Sequence, residues 1–121
     1  MAVIVAPIPT GIAANRAEDL AAQAATQTAL SGAGSFFHVE VDNSANTHAV
    51  SLRLYDSTTA QAGVTDPNDS YRVAAGAVGI FPMPPDGIAY TTGIMYSCSQ
   101  EAGTAGATNP ASSVPVTIQF T

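Results

Sequence analysis

Two histidines, one cysteine, nine carboxylates and four tyrosines are the side chains in this 121-residue chain with the clearest chemical potential. Their spacing assembles no site. A metal centre gathers three or four ligands around one ion. His38 falls on an outward strand position and His48 in a loop, and both read as solvated polar residues. Asp66-Pro-Asn-Asp69 offers the hard oxygens that calcium takes, but lacks the spaced loop and closing bidentate glutamate of an EF-hand, so it reads as a plain loop. Cys98 shares an apolar face with Ile94 and Tyr96. A nucleophilic thiolate needs a basic neighbour, and none stands near it in the sequence, which makes it a small buried hydrophobe. Gly103-Thr-Ala-Gly106 is glycine-rich without the lysine or the strand-to-helix setting of a phosphate loop. Tyr55, Tyr71, Tyr90 and Tyr96 could stack on sugars if they shared an exposed face, although the chain has no tryptophan. No catalytic, cofactor-binding or metal-binding residue is assigned, no cofactor is called for, and the chain reads as non-enzymatic.

The elements that would position these residues are mostly short strands. Phe36 to Asp56 is the strongest pattern, with Phe37, Val39 and Val41 on one face, then Asn43 to His48, then Val50, Leu52 and Leu54. It predicts a β-hairpin with Val41 opposite Val50, Val39 opposite Leu52, and Glu40 diagonal to Arg53 on the outer face. Val114, Val116, Ile118 and Phe120 alternate over the last strand. Between these, Thr26 to Leu30, Tyr71 to Ala74, Ile80-Phe81, Ile88 to Tyr90 and Ile94 to Cys98 are shorter strand signals separated by Gly, Pro and Asp turns. Asn15 to Ala25 offers one short helix, with Asn15 as N-cap and Glu18 at the capping-box position. It lacks a wide apolar stripe, and an isolated helix of that length is marginal. Val3 to Ile8 is an apolar run closed by Pro7 and Pro9, suited to an edge strand or an extended arm. The fold class expected is all-β: a single-domain antiparallel β-sandwich, jelly-roll or Ig-like, of seven to eight short strands. Residues 1–30 form an N-terminal arm and Ala-rich segment, and residues 31–121 the sandwich core. The loops Ser57 to Ser70 and Gln100 to Ser113 exceed usual connection lengths, which favours a binding role or ordering by a partner.

Composition narrows the partners. Nine acidic residues face three arginines, with no lysine and a formal net charge of −6. Nucleic acid is not an expected partner, because phosphate binding draws on clusters of Lys and Arg. A membrane surface is disfavoured for the same reason. Met1 to Ala6 is apolar but has no basic flank and meets Pro7 too soon for a signal-peptide core or a membrane span. One cysteine cannot close an intramolecular disulfide.

Val41-Asp-Asn-Ser-Ala-Asn, Val50-Ser-Leu-Arg-Leu-Tyr-Asp56, Pro84-Pro-Asp-Gly87, Tyr90-Thr-Thr-Gly93 and Glu101-Ala-Gly-Thr-Ala-Gly106 together resemble small structural proteins of bacteriophage virions. The likeness runs from Ser31 to Thr121 and lies in the order of short motifs. The resemblance implies a capsid decoration, or cement, protein that binds the outer capsid surface and stabilises the shell, made in the host cytoplasm and located in the virion. It implies the major capsid protein as partner and a homo-oligomer, with a trimer expected from capsid symmetry. A tail or fibre component and a carbohydrate-binding β-sandwich module are the alternatives. The candidate contacts are the arm residues Val3, Ile4, Val5 and Ile8, which could add a strand to a neighbour, and the polar turn residues Asn43, Asn46 and His48.

Overall fold

The computed structural model describes residues 15–121. Nine strands lie within them: β1 (Asn15–Asp19), β2 (Gln27–Leu30), β3 (Gly34–Asp42), β4 (Val50–Tyr55), β5 (Asp69–Val73), β6 (Val78–Pro82), β7 (Ile88–Tyr90), β8 (Ile94–Ser99) and β9 (Val116–Phe120). One sheet runs β1-β9-β3-β6, with β7 also paired to β3, and the other runs β2-β8-β4-β5. Every pairing is antiparallel. Set the short β7 aside and the pairs β1·β9, β2·β8, β3·β6 and β4·β5 are nested like the rungs of one long hairpin. Rolling that hairpin up adds the contacts β9·β3 and β8·β4, which is the jelly-roll arrangement. Of the two sandwich types expected, the chain adopts this one.

The roll explains why β3 and β4 do not form a hairpin. With β7 set aside, consecutive strands of this rolled hairpin lie in opposite sheets except for the innermost pair β4·β5, so the turn from Asp42 to Val50 arches across the sandwich. Val39 and Val41 of β3, and Val50, Leu52 and Leu54 of β4, still share one buried cluster with Phe36, Ile94, Cys98, Val114, Val116 and Ile118. They meet across the core rather than along a ladder. Val39 is opposite Phe81 and Ile118, and Leu52 is opposite Tyr71 and Cys98. The expected Glu40–Arg53 neighbours consequently sit in different sheets.

The helix offered at Asn15 is instead β1. Five residues without an apolar stripe gain little as a helix, whereas the backbone donors and acceptors along β9 need a second neighbour. β1 supplies it in the register Asn15↔Phe120 to Asp19↔Val116. Asp19 turns the chain rather than joining a helix: its Oδ1 accepts the Ala21 N–H at 3.0 Å and its Oδ2 accepts the Tyr96 hydroxyl at 2.9 Å. The sandwich thus takes in Asn15–Leu30, which the sequence pattern sets outside the core.

Every residue of β4 and β8 is buried, on both faces. The second cover comes from the two long loops, which lie on the outer face of the β2-β8-β4-β5 sheet and touch each other, Thr104 Oγ1 donating to Asp66 at 2.7 Å. Tyr55, Ala60 and Met95 form a small apolar cluster beneath them. Loop length here is accounted for by a third layer of the fold.

Candidate functional site

Three polar clusters hold the loops. The first centres on Arg53, which is fully buried. β4 turns this residue away from the main core because its neighbours Leu52 and Leu54 take the inner face. Its Nη1 donates to the Gly103 carbonyl at 2.6 Å, and its Nη2 donates to the Gly106 carbonyl at 2.8 Å and to Ser99 Oγ. Among the described residues, no carboxylate pairs with it within 4 Å, and its Nε has no partner. Carbonyl dipoles from the Gly103–Gly106 turn therefore carry the solvation of a buried cation. Glu101, at the base of the same loop, accepts the Thr108 N–H at 3.0 Å. Hydrogen bonding from Thr108, its side chain first and its N–H second, holds the Glu101 carboxyl below the usual range, with a smaller contribution from Arg53.

The second cluster is Asp56, just after β4. Its Oδ2 accepts the Thr91 N–H at 3.0 Å, and its Oδ1 accepts the N–H groups of Thr92 at 2.8 Å and Gly93 at 3.3 Å. These donors lower its pKa. Gly93 is required there: a Cβ would stand 2.8 Å from the Ser57 carbonyl and 2.9 Å from that of Leu30.

The third cluster is the arch between β3 and β4. Asn43, fully buried, donates through Nδ2 to the carbonyls of His48 at 2.9 Å, Ala74 at 3.0 Å and, more weakly, Val73 at 3.3 Å. Its Oδ1 accepts from Asn46 Nδ2 at 2.9 Å, and Asn46 in turn exchanges bonds with the Ser112 carbonyl and N–H at 3.1 and 2.7 Å. His48 Nε2 accepts the Ala111 N–H at 3.2 Å, which leaves Nδ1 to carry the proton toward the Ala49 carbonyl. The arch is clasped to the β5–β6 turn and to the Pro110–Ser113 loop.

Of the residues expected to touch a partner, Val3, Ile4, Val5 and Ile8 lie outside the described residues. Asn43 and Asn46 are 0 % and 4 % exposed and are occupied by the clasp. His48 is half-buried, and the open positions of the arch are Ser44, Ala45 and Thr47. Tyr55, Tyr90 and Tyr96 are buried and hydrogen-bonded to Ser97, Asp69 and Asp19, so they present no exposed stacking platform. Tyr71 is half-buried against Phe81. Asp66, Asn68 and Asp69 point to three separate partners, Thr104, the Asp56 N–H and Tyr90, instead of converging. Cys98 is fully buried, and burial pushes its thiol up to about 12. Among the described residues, no group of three His, Cys, Asp or Glu side chains could hold a metal ion, and no helix is long and apolar enough to cross a membrane. A cleft of about 150 Å³ lies between Ala21–Gln23 and Pro110–Ser113. That is below the roughly 300–1,000 Å³ of small-molecule pockets.

Among the described residues, the outer face of the β1-β9-β3-β6 sheet is left uncovered, exposed along β1 and β6 and half-buried along β9 and β3. It carries Arg16 and Glu18 on β1, Thr117 and Gln119 on β9, His38, Glu40 and Asp42 on β3, and Val78, Ile80 and Pro82 on β6, as register and burial require. His38 Nε2 lies 3.2 Å from Glu40 Oε2. Sequence reasoning missed Arg53. The available signal was the uncharged second face of β8, Met95, Ser97 and Ser99, which pairs Ser97 with Arg53 on β4 and offers no carboxylate to it.

The fold and these clusters define a jelly-roll domain whose buried polar side chains organise its own loops, leaving one sheet face open. Compared with known proteins, the chain matches no family model, no curated protein and no solved structure.

Proposed function

We propose that this protein is a non-enzymatic bacteriophage virion component, a capsid decoration protein that binds the outer surface of the major capsid protein and stabilises the shell. The observation that carries the reading is the division of the molecule. Its loops and turns are tied down by Arg53, Asp56 and the Asn43–Asn46 clasp, while among the described residues one broad sheet face stays uncovered and acidic. A rigid body with one open face suits docking better than turnover. Glu18, Glu40 and Asp42 against Arg16 give that face an acidic balance, which complements a basic patch. Jelly rolls occur in viral capsid and lectin domains, a likeness of fold alone. The buried tyrosines disfavour the lectin-like alternative. We also propose Val3, Ile4, Val5 and Ile8, which lie outside the described residues, as a second contact, and several weak contacts on one shell reinforce each other.

The test is to disrupt purified particles and follow the protein. Co-purification with shells, and rebinding to shells stripped of it, support the proposal, and fractionation with tails moves the protein to the tail or fibre. Deleting residues 1–10 should lower shell occupancy without unfolding the domain, and unchanged occupancy removes the arm from the contact.

A further inference from the structure

Strand β6 ends its sheet among the described residues, and its hydrogen-bonding parity can be read from its flanks. Asn43 donates to the Ala77 carbonyl and Met83 donates to the Phe37 carbonyl. Both bonds obey the β3–β6 register, which pairs Val39 with Phe81 and Val41 with Gly79. In an antiparallel pair, residues alternate between facing the partner strand and facing away. Gly79 and Phe81 thus address β3, and the main-chain groups of Val78, Ile80 and Pro82 point outward, with no partner strand among the described residues. The outward edge offers two N–H donors, on Val78 and Ile80, and three carbonyl acceptors.

The other sheet edges are guarded in the ways that prevent edge pairing. β1 carries Arg16, Glu18 and Asp19, β5 carries Asp69 and Arg72, β2 has a register break between Thr28 and Leu30, and β7 is three residues long. β6 has no charge, and Val78 and Ile80 are 53 % and 59 % exposed. Among the described residues its only guard is Pro82, at one end.

We infer that β6 is a self-pairing edge, joining a second copy of this chain in antiparallel fashion about a twofold axis at Ile80. In that register Ile80 faces Ile80 of the second copy and exchanges both main-chain bonds with it. Val78 faces Pro82 and donates to its carbonyl. All four outward donors of the pair find acceptors, and the missing N–H of Pro82 leaves no donor unmet. The side chains form one apolar row across the joint, Val78 beside Pro82, Ile80 beside Ile80 and Pro82 beside Val78. No other partner strand is needed to account for the edge, because the strand complements itself. The contact is short beside the ~1,200 Å² at the low end of stable interfaces, so association is weak and concentration-dependent. It is an isologous twofold, distinct from the threefold expected from shell symmetry.

The experiment uses the full chain. Sedimentation over a concentration series should show monomer passing to dimer, and Ile80→Lys should stay monomeric with an unchanged melting temperature. Cysteine variants then test the register under mild oxidation, with Cys98 kept out of reaction by burial. Ile80→Cys should give a disulfide-linked dimer, since Cα atoms of such a pair lie ~5.5 Å apart, within disulfide range. Val78→Cys should not, because its counterpart lies four residues along the ladder, roughly 13 Å away. Monomer at every concentration, a trimer, equal cross-linking at both positions, or loss of the dimer on deleting residues 1–10 each overturns the inference. None of these outcomes depends on capsid binding.

Discussion

Replacing Arg53 with methionine keeps most of the side-chain volume and removes the charge, which isolates what the guanidinium does. Three close contacts disappear, to the Gly103 and Gly106 carbonyls and to Ser99 Oγ, together with a long one to the Thr104 carbonyl at 3.5 Å. Hydrogen bonds to a charged group contribute about 1.5–3 kcal/mol each, so the gross loss from the three close ones is about 4.5–9 kcal/mol. Against it stands the several kcal/mol that burying a cation costs, recovered when the charge is gone. Ser99 Oγ keeps a bond to the Glu101 carbonyl, and Gly103 is exposed enough to take water, so the Gly106 carbonyl bears most of the damage. The net destabilisation should be about 2–4 kcal/mol. With an unfolding entropy of about 2.1 cal/mol/K per residue, that lowers the melting temperature by about 8–16 °C. The assay is thermal denaturation together with amide exchange over 100–108, where protection should fall more than in β3 or β9. Arg53→Lys should recover only part of the loss, because one ammonium cannot span acceptors on two sides of the turn. An Arg53→Met protein as stable as the parent, with the loop still protected, refutes the reasoning and leaves the guanidinium as a buried cost.

The remaining predictions follow from the other clusters. Asn43→Ala strips the carbonyls of His48 and Ala74 of their donor and should cost about 2–4 kcal/mol. A double-mutant cycle with Asn46→Ala should show a coupling of ~1 kcal/mol, and strict additivity in denaturant melts dismisses the clasp as a unit. Gly93→Ala drives a methyl against two backbone carbonyls and should cost about 1–3 kcal/mol, read by the same melts. On the alkaline side, burial raises Cys98 and Tyr71 to about 12 and also raises Tyr90 and Tyr96. Their folded pKa values lie above the unfolded ones, so the native state holds protons that the unfolded chain releases. Stability should be fully present below about pH 9 and fall as pH climbs toward 12. Native Cys98 should resist thiol reagents at pH 8, and tyrosinate absorbance from the shifted rings should rise together with unfolding. Tyrosinate appearing well before unfolding contradicts the burial of those rings.

Much of the strand content was legible because period-2 alternation reports which side chains are buried. β9, with Val116, Ile118 and Phe120 inward, is visible in the sequence for that reason, and so are β3 and β4. Alternation does not report which strand lies alongside. Val41 and Val50 look like hairpin partners, but the buried Asn43 amide is satisfied by carbonyls of the β5–β6 turn, thirty residues away in the chain, and this long-range clasp makes an arch of the turn. β1 was hidden because its charged residues favour a cap locally, while its pairing with β9 is set from the far end of the chain. The long loops suggested binding. Their structural role depends on Arg53, a single charge inside a strand whose cover comes from residues fifty positions later.

The two proposed contacts meet on one face, and salt separates them. Twofold pairing at β6 extends the open β1-β9-β3-β6 sheet from four strands across to eight, about 19 Å to about 38 Å at 4.8 Å per strand. It brings together two bodies of formal charge −6 each. Screening has opposite consequences for like and unlike charges, with a Debye length near 10 Å at 0.1 M ionic strength. Self-association should therefore tighten as salt rises, because the repulsion it works against is screened and its own main-chain bonds are not ionic. Docking of Glu18, Glu40 and Asp42 on a basic patch should weaken over the same range. Reversing the face with Glu40→Lys and Asp42→Lys should lower shell occupancy at low salt and flatten its salt dependence, while Ile80→Lys removes the salt-enhanced dimer. If shell binding instead strengthens with salt and ignores the two lysines, the acidic face is not the docking surface.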